Sequence, residues 1–233
     1  KSTLTIENIF AFAKEVDLAD VREVLERQVR YNMSIAEEGL CGNYGANIGK
    51  VLLATYGDQD VKVRAKAMAA AGSDARMNGC VLPVMINSGS GNQGMTVSLP
   101  VAVFADYLFA DKEKEYRALV LSNLVAIYQK NELGKLSAYC GAVSAATGAG
   151  AGIAYLHGAD FDTIAETITN TLANVSGIVC DGAKASCAAK IASSVDAAIM
   201  AYYMAAEHRG FQSGEGLVKK DVEATIKSFG RMG

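Results

Sequence analysis

An all-helical, multi-helix bundle with Gly-rich loops and little or no sheet is the fold this sequence predicts. Three observations carry that reading. Only 2 of the 233 residues are proline, and alanine is abundant. Apolar residues recur at steps of three and four, the period of a helix with one buried face. Alternating β-branched runs, the mark of half-buried strands, are hard to find. A chain of this length can bury a full core, and residues 1–233 are read as a single helical domain.

Taken in order, the first helix is expected at about 6–14. Asp17 has the side chain of an N-cap for a second at about 18–38, with Val21, Leu25, Val29, Asn32 and Met33 on its inner stripe. Beyond Gly39-Leu40-Cys41-Gly42-Asn43 the periodicity resumes, giving short helices at about 46–55 and 61–71. Turn formers crowd 73–79 and 87–94, so loops are expected there. Four longer helices follow at about 96–109, 113–131, 136–157 and 161–175, the last two as a hairpin. An Ala-rich, largely buried helix at about 185–207 and a final one at 218–229 complete the series. Residues 145–152 are small at almost every position, and each Gly weakens a helix by roughly 1 kcal/mol relative to Ala. Close backbone contact with neighbouring helices must offset that; a membrane dimer motif is not the expected use.

Hydrophobic residues make up 51% of the chain and charged residues 20%, a globular composition. No apolar run reaches the roughly 18 residues that span a bilayer, so no membrane role is expected. A net charge of −3 and a pI near 5.5 leave no basic field for phosphate backbones, and nucleic acid is not an expected partner. The 5 cysteines are odd in number, widely spaced and mostly set among small residues. That pattern predicts reduced cytoplasmic thiols, not a disulfide framework. The chain opens Lys1-Ser2-Thr3 and closes Gly230-Arg231-Met232-Gly233, which suggests a fragment of a longer protein.

Three of those cysteines are the strongest candidates for chemistry. Cys140 lies in Leu136-Ser137-Ala138-Tyr139-Cys140-Gly141-Ala142. Cys180 and Cys187 bound Cys180-Asp181-Gly182-Ala183-Lys184-Ala185-Ser186-Cys187, in a chain with only 2 His. An iron-sulfur cluster needs thiolates converging from loops or helix ends. Seven residues of unbroken helix rise roughly 10 Å, rather far for two ligands of one cluster, so Asp181-Gly182 is expected to interrupt the helix. Cys187 would then fall in the first turn of the next helix, where N–H groups and the dipole stabilise a thiolate, with Cys180 on the entering loop. Burial as small hydrophobes is the other common fate of free cysteines, and spacing alone leaves both readings open. The spacing is not that of a zinc ribbon.

A second constellation is Ser88-Gly89-Ser90-Gly91-Asn92-Gln93-Gly94. Its glycines open the backbone while Ser, Asn and Gln offer neutral donors, so it can hold a carboxylate or phosphate against a helix N-terminus, or else serve as a tight connector. No Gly-Lys-Ser/Thr follows, and it is not a Walker loop. Asn43 and Asn47 would point into a cleft together, or cap a helix. Asp74 and Arg76 read as a charge-assisted pair, or as a binding element for a substrate carboxylate. Cys41 and Cys80 read as packing residues, and His157 and His208 as charge partners of helix C-termini.

With these residues in place, the chain resembles the C-terminal, helical part of the L-cysteine desulfidase family, which is related to the serine dehydratase α-chain. The resemblance covers nearly the whole chain. Its strongest segments are Ser73-Asp74-Ala75-Arg76-Met77, the 87–94 run beginning Asn87-Ser88, and Cys180-Asp181-Gly182-Ala183-Lys184. The chain is more distantly similar to iron-sulfur L-serine dehydratases, which carry a cysteine in a Gly/Ala-rich helix, then Cys-Asp-Pro and a further cysteine. Cys140, Cys180 and Cys187 occupy the matching places; here Gly182 stands where those have Pro, and the last spacing is shorter.

The resemblance implies a 4Fe-4S cluster on Cys140, Cys180 and Cys187. It also implies a β-elimination on a small L-amino acid: L-cysteine to sulfide, ammonia and pyruvate, or water loss from L-serine. Ser88, Gly89, Ser90, Gly91, Asn92, Gln93, Asn43, Asp74 and Arg76 would bind the substrate. Lys184, Asp181 and Asp74 are candidates by location for the base at Cα. The resemblance also implies an N-terminal domain with a Gly-Cys-Thr-Glu-Pro segment, absent from this chain, as the source of part of the site and a candidate cluster ligand. The alternatives are a non-catalytic helical binding or assembly module, and a pyridoxal phosphate enzyme, whose folds need parallel strands not found here. Assembly into a homo-oligomer stays open.

Overall fold

Ten α-helices joined by short connections make up the described residues, 4–134 and 137–233 of a computed structural model. They are α1 (Ile6–Glu15), α2 (Leu18–Cys41), α3 (Ile48–Tyr56), α4 (Val61–Met77), α5 (Gly91–Tyr107), α6 (Lys112–Leu133), α7 (Gly141–Leu156), α8 (Phe161–Val175), α9 (Cys187–Ala206) and α10 (Val222–Met232). Among the described residues there is no strand, only isolated bridges pairing Asn87 with Ser90 and Tyr139 with Val179. No described helix is long and apolar enough to cross a membrane. Five helices start on an aspartate cap: Asp17, Asp60, Asp111, Asp160 and Asp221 each accept a bond from a first-turn N–H of the helix that follows. Each satisfies a donor that the helix cannot bond internally.

The bundle is organised around α7. Every residue from Ala142 to Ala154 is buried, and α5, α6, α8 and α9 all pack on this one helix. Its glycines are places of close backbone approach. A Cβ on Gly148 would lie 2.3 Å from the Ser122 carbonyl oxygen, and one on Gly152 would lie 3.0 Å from the Ala118 carbonyl oxygen. The small-residue run therefore lets α6 lie against α7, as expected, and the gained packing outweighs the weak helix propensity.

Four boundaries differ from the sequence reading. The loop expected at 73–79 is helical as far as Met77, because the alanine-rich stretch before it keeps α4 going and Ser73 and Asp74 are buried in it. Of the loop expected at 87–94, only Asn87 to Ser90 turns, and Gly91 already begins α5. The helix expected from 136 starts at Gly141; Leu136 lies outside the described residues. The last helix starts at Val222, because Asp221 supplies its cap.

Candidate functional site

Three helix N-termini point at one cavity of about 270 Å³. It is lined by Gly89, Ser90, Asn92 and Gln93 from the start of α5, by Cys140, Gly141 and Ala142 from the start of α7, and by Cys187 from the start of α9, with Cys180, Gly182 and Arg76 beside them. Each N-terminus turns the positive end of a helix dipole toward the cavity, so the three together favour an anion.

The α5 end is built by a tight hairpin. Asn87 and Ser90 exchange backbone bonds of 3.1 and 3.0 Å, and the two residues between them, Ser88 and Gly89, both take positive φ (49° and 83°). That is the two-residue turn that suits Asn-Ser-Gly-Ser. The Ser90 side chain then caps α5 through the Gln93 N–H at 3.5 Å. Gly94 is required by space, since its Cβ would come within 1.9 Å of the Met85 carbonyl oxygen. Ser88 turns away from the cavity and donates to Asn87 Oδ1.

The cysteine side is held by a short antiparallel contact. The Cys140 N–H donates to the Ile178 carbonyl and the Cys180 N–H to the Ala138 carbonyl, both at 2.8 Å. Cys140 thereby occupies the N-cap of α7, with no capping bond from its own side chain. The chain is non-helical between α8 and α9, and Gly182 takes a φ of 99°. The break expected at Asp181-Gly182 is therefore present, and Cys187 opens the following helix. Its Sγ accepts from the Lys184 N–H at 3.4 Å. Asp181 is clamped by Lys190 and by Lys184, the latter at 2.9 Å, and Lys190 also donates to the Val179 carbonyl at 2.8 Å. The two lysines hold the Asp181 carboxyl well below the usual carboxylate range.

Burial pushes the Cys140 thiol up; the Ala142 N–H opposes it, the neighbouring Cys180 and Cys187 add to it, and Lys190 acts against it. Among the described residues, no three His, Cys, Asp or Glu side chains gather tightly enough to hold a single metal ion.

Arg76 lines the cavity and donates to Asn92 Oδ1 at 3.2 Å. It does not pair with Asp74, contrary to expectation: residues two apart on a helix do not face each other, and α4 continues through both. Asp74 is fully buried and does not line the cavity. Its Oδ2 accepts from the Gly49 N–H at 3.0 Å at the start of α3, while Oδ1 has no partner. Burial raises its pKa, opposed by the Gly49 and Ile48 N–H groups. Asn43 also lies away from the cavity, accepting from Asn47 Nδ2 at 2.7 Å.

Cys80 packs against the apolar cluster of Ile35, Met95 and Leu99, whereas Cys41, expected as packing, is exposed at the end of α2. His157 does sit at a helix C-terminus, but among aromatic rings that leave it no charge partner role.

Two features escaped the sequence reading. Lys190 lies one turn beyond Cys187 on α9, a spacing that places both on one face and was available to find it. Gln93 carries a buried Oε1 with no hydrogen-bond partner, and its amide lies over Gly141, whose Cβ would meet it at 2.5 Å. An unpartnered buried acceptor is a site feature that only the assembled fold reveals.

The description "Serine dehydratase alpha chain" belongs to a family model that matches residues 3–233. A UPF0597 protein of Lachnoclostridium phytofermentans is 64% identical over 225 residues, which cover 97% of this chain and 54% of that protein. A UPF0597 protein of Desulfitobacterium hafniense is 58% identical over 233 residues, covering 100% of this chain and 54% of its own length. One of Finegoldia magna is 51% identical over 227 residues, with 97% and 54% covered. The chain spans about half the length of the curated relatives it matches. With nearly all of its residues matched, the chain belongs to the serine dehydratase alpha chain family.

Proposed function

We propose that this cavity binds a small L-amino acid for β-elimination, with L-cysteine yielding sulfide, ammonia and pyruvate as the favoured reaction and L-serine dehydration as the alternative. The observation that supports this most is the convergence of three thiols and three helix N-termini on a single cavity that also holds an unpartnered acceptor. A 4Fe-4S cluster on Cys140, Cys180 and Cys187 suits this donor set. The three thiolates would each hold a different iron, so they need not crowd one point as the ligands of a single ion do. When bound, the cluster supplies a Lewis acid for the substrate carboxylate and leaving group.

The chain's own residues position the substrate. Arg76 and the N–H groups at the start of α5 suit a carboxylate. The amide of Gln93, which lines the cavity, suits the ammonium group. Lys190 and Lys184 fix the loop that carries Cys180 through their grip on Asp181. That grip makes Asp181 a poor base, and Asp74, walled off under α3, is no better placed. The base at Cα is therefore assigned to the part of the longer relatives outside this chain, which would also complete the site.

Anaerobic reconstitution of the full-length protein with iron and sulfide tests this reading. Iron content should track activity, pyruvate should form from L-cysteine, and Cys140→Ser, Cys180→Ser and Cys187→Ser should each lower both. Full activity without iron, or unchanged iron in all three variants, would overturn it; pyruvate from serine alone would select the alternative substrate.

A further inference from the structure

A second cavity, of about 390 Å³, shares no residue with the cysteine cavity. It lies where α2, α4, α5 and the start of α6 meet. Its floor is apolar, formed by Met33, Leu40, Met68 and Val103 among others. Its size falls in the range of roughly 300–1,000 Å³ typical of small-molecule sites, and its mostly apolar wall with a few polar groups is the usual lining of one.

Its charges are arranged unusually for a surface groove. Lys112 and Glu115 pair with each other at 2.6 Å, and Glu115 is buried. Arg64 has no such partner: its Nε is buried without a hydrogen bond, and its guanidinium carbon lies 6.0 Å from the Tyr107 ring centre. Among the described residues no carboxylate comes within ion-pair distance of it, although Asp58 and Asp106 stand on the same rim. Asp106 likewise has no cationic partner among the described residues. The half-buried, unpaired Arg64 and the exposed, unpaired Asp106, both lining one largely apolar cavity, are complementary to a ligand that carries both opposite charges and an apolar tail.

We propose that this cavity is a binding site for an apolar α-amino acid. The ligand carboxylate lies on the Arg64 guanidinium, and the ammonium lies on Asp106. The side chain fills the space between Met33, Leu40 and Met68. Serine and cysteine, whose side chains are small and polar, gain little from that floor, so this site and the cysteine cavity select different amino acids.

Calorimetric titration of the protein with L-leucine and L-methionine tests the assignment. Both should bind saturably. 4-Methylpentanoate, which lacks the amine, and 3-methylbutylamine, which lacks the carboxylate, should each bind at least about tenfold more weakly than leucine, as expected for loss of one charge-assisted contact. Arg64→Met and Asp106→Asn should weaken leucine binding to a similar degree, while Arg76→Met, at the other cavity, should leave it unchanged. No saturable binding up to about 10 mM, an amine-free acid that binds as tightly as leucine, or leucine binding abolished by Arg76→Met and kept by Arg64→Met would each overturn the proposal. The ligand series uses the unsubstituted protein and decides the matter even if a variant folds poorly.

Discussion

The two ends of α7 are built from the same helix and do opposite things. At its N-terminus Cys140 and Gly141 open onto a polar cavity ringed by helix starts. At its C-terminus His157 is enclosed by Phe104, Tyr202 and Tyr203, with ring centres 6.0, 4.7 and 6.3 Å away, and its Nδ1 is buried without a partner. Between them the small residues admit the neighbouring helices closely on every side. What distinguishes the ends is therefore not α7 but what its neighbours bring. Non-helical backbone and the starts of α5 and α9 gather at one end, and rings from α5 and α9 gather at the other. The helix dipole adds to the contrast, since the N-terminal end attracts an anion.

The strongest way to break this arrangement is at the middle. Gly148→Ala adds a Cβ 2.3 Å from the Ser122 carbonyl oxygen, a backbone atom that cannot swing away. Alanine returns roughly 1 kcal/mol of helix propensity, but overpacking of this kind typically costs about 1–3 kcal/mol, and a backbone clash sits at the upper end. Urea unfolding should show a net loss of about 2 kcal/mol. A variant as stable as the parent would mean that α6 and α7 are not in close contact there.

Much of this contrast was legible in the sequence. The Gly/Ala run at 145–152 announced close helix packing, and Asp181-Gly182 announced the break that puts Cys187 at a helix start. Segments rich in turn formers were less legible. Ser73 and Asp74 read as loop residues because each prefers turns when exposed, yet both are buried in α4, where α3 supplies N–H donors to Asp74. Gly91 and Gly94 read as loop glycines, whereas they begin α5 beside Arg76 and the Met85 carbonyl. Local propensity cannot see a partner that arrives from another helix. The same holds for the convergence of three N-termini, which depends on how α5, α7 and α9 are stacked and leaves no trace in spacing.

The C-terminal end can be probed by pH. Burial, and secondarily Lys114, lower the His157 pKa below its ordinary 6.5, so the folded state favours the neutral ring. Between the lowered native value and about 6.5 the unfolded chain binds more protons, and stability therefore rises with pH across that window. The contribution is complete above about pH 6.5 and is lost as the pH falls toward the native value. The ring is only partly enclosed, so the effect should be smaller than that of Gly148→Ala. Urea midpoints between about pH 7.5 and about pH 5.5 should fall for the parent and fall less for His157→Phe. Equal slopes would show that the rings do not keep His157 neutral.

The smallest stability change is expected at the N-terminal end, and it carries the sharpest test of the comparison. Gly141→Ala places a Cβ 2.5 Å from the Gln93 amide nitrogen, the far end of a flexible side chain that can rotate aside. Gain in helix propensity offsets the small rearrangement, so unfolding should change by no more than about 0.5 kcal/mol. Ligand binding should respond where folding does not. With the Gln93 amide displaced from the cavity wall, affinity for the amino-acid substrate should drop about tenfold, as it should in Gln93→Leu. The double variant should then be no worse than either single one, because both remove the same contact. If Gly141→Ala instead destabilises the fold as much as Gly148→Ala, the N-terminal end is packed core like the rest of α7, and the cavity loses its claim to be a binding site.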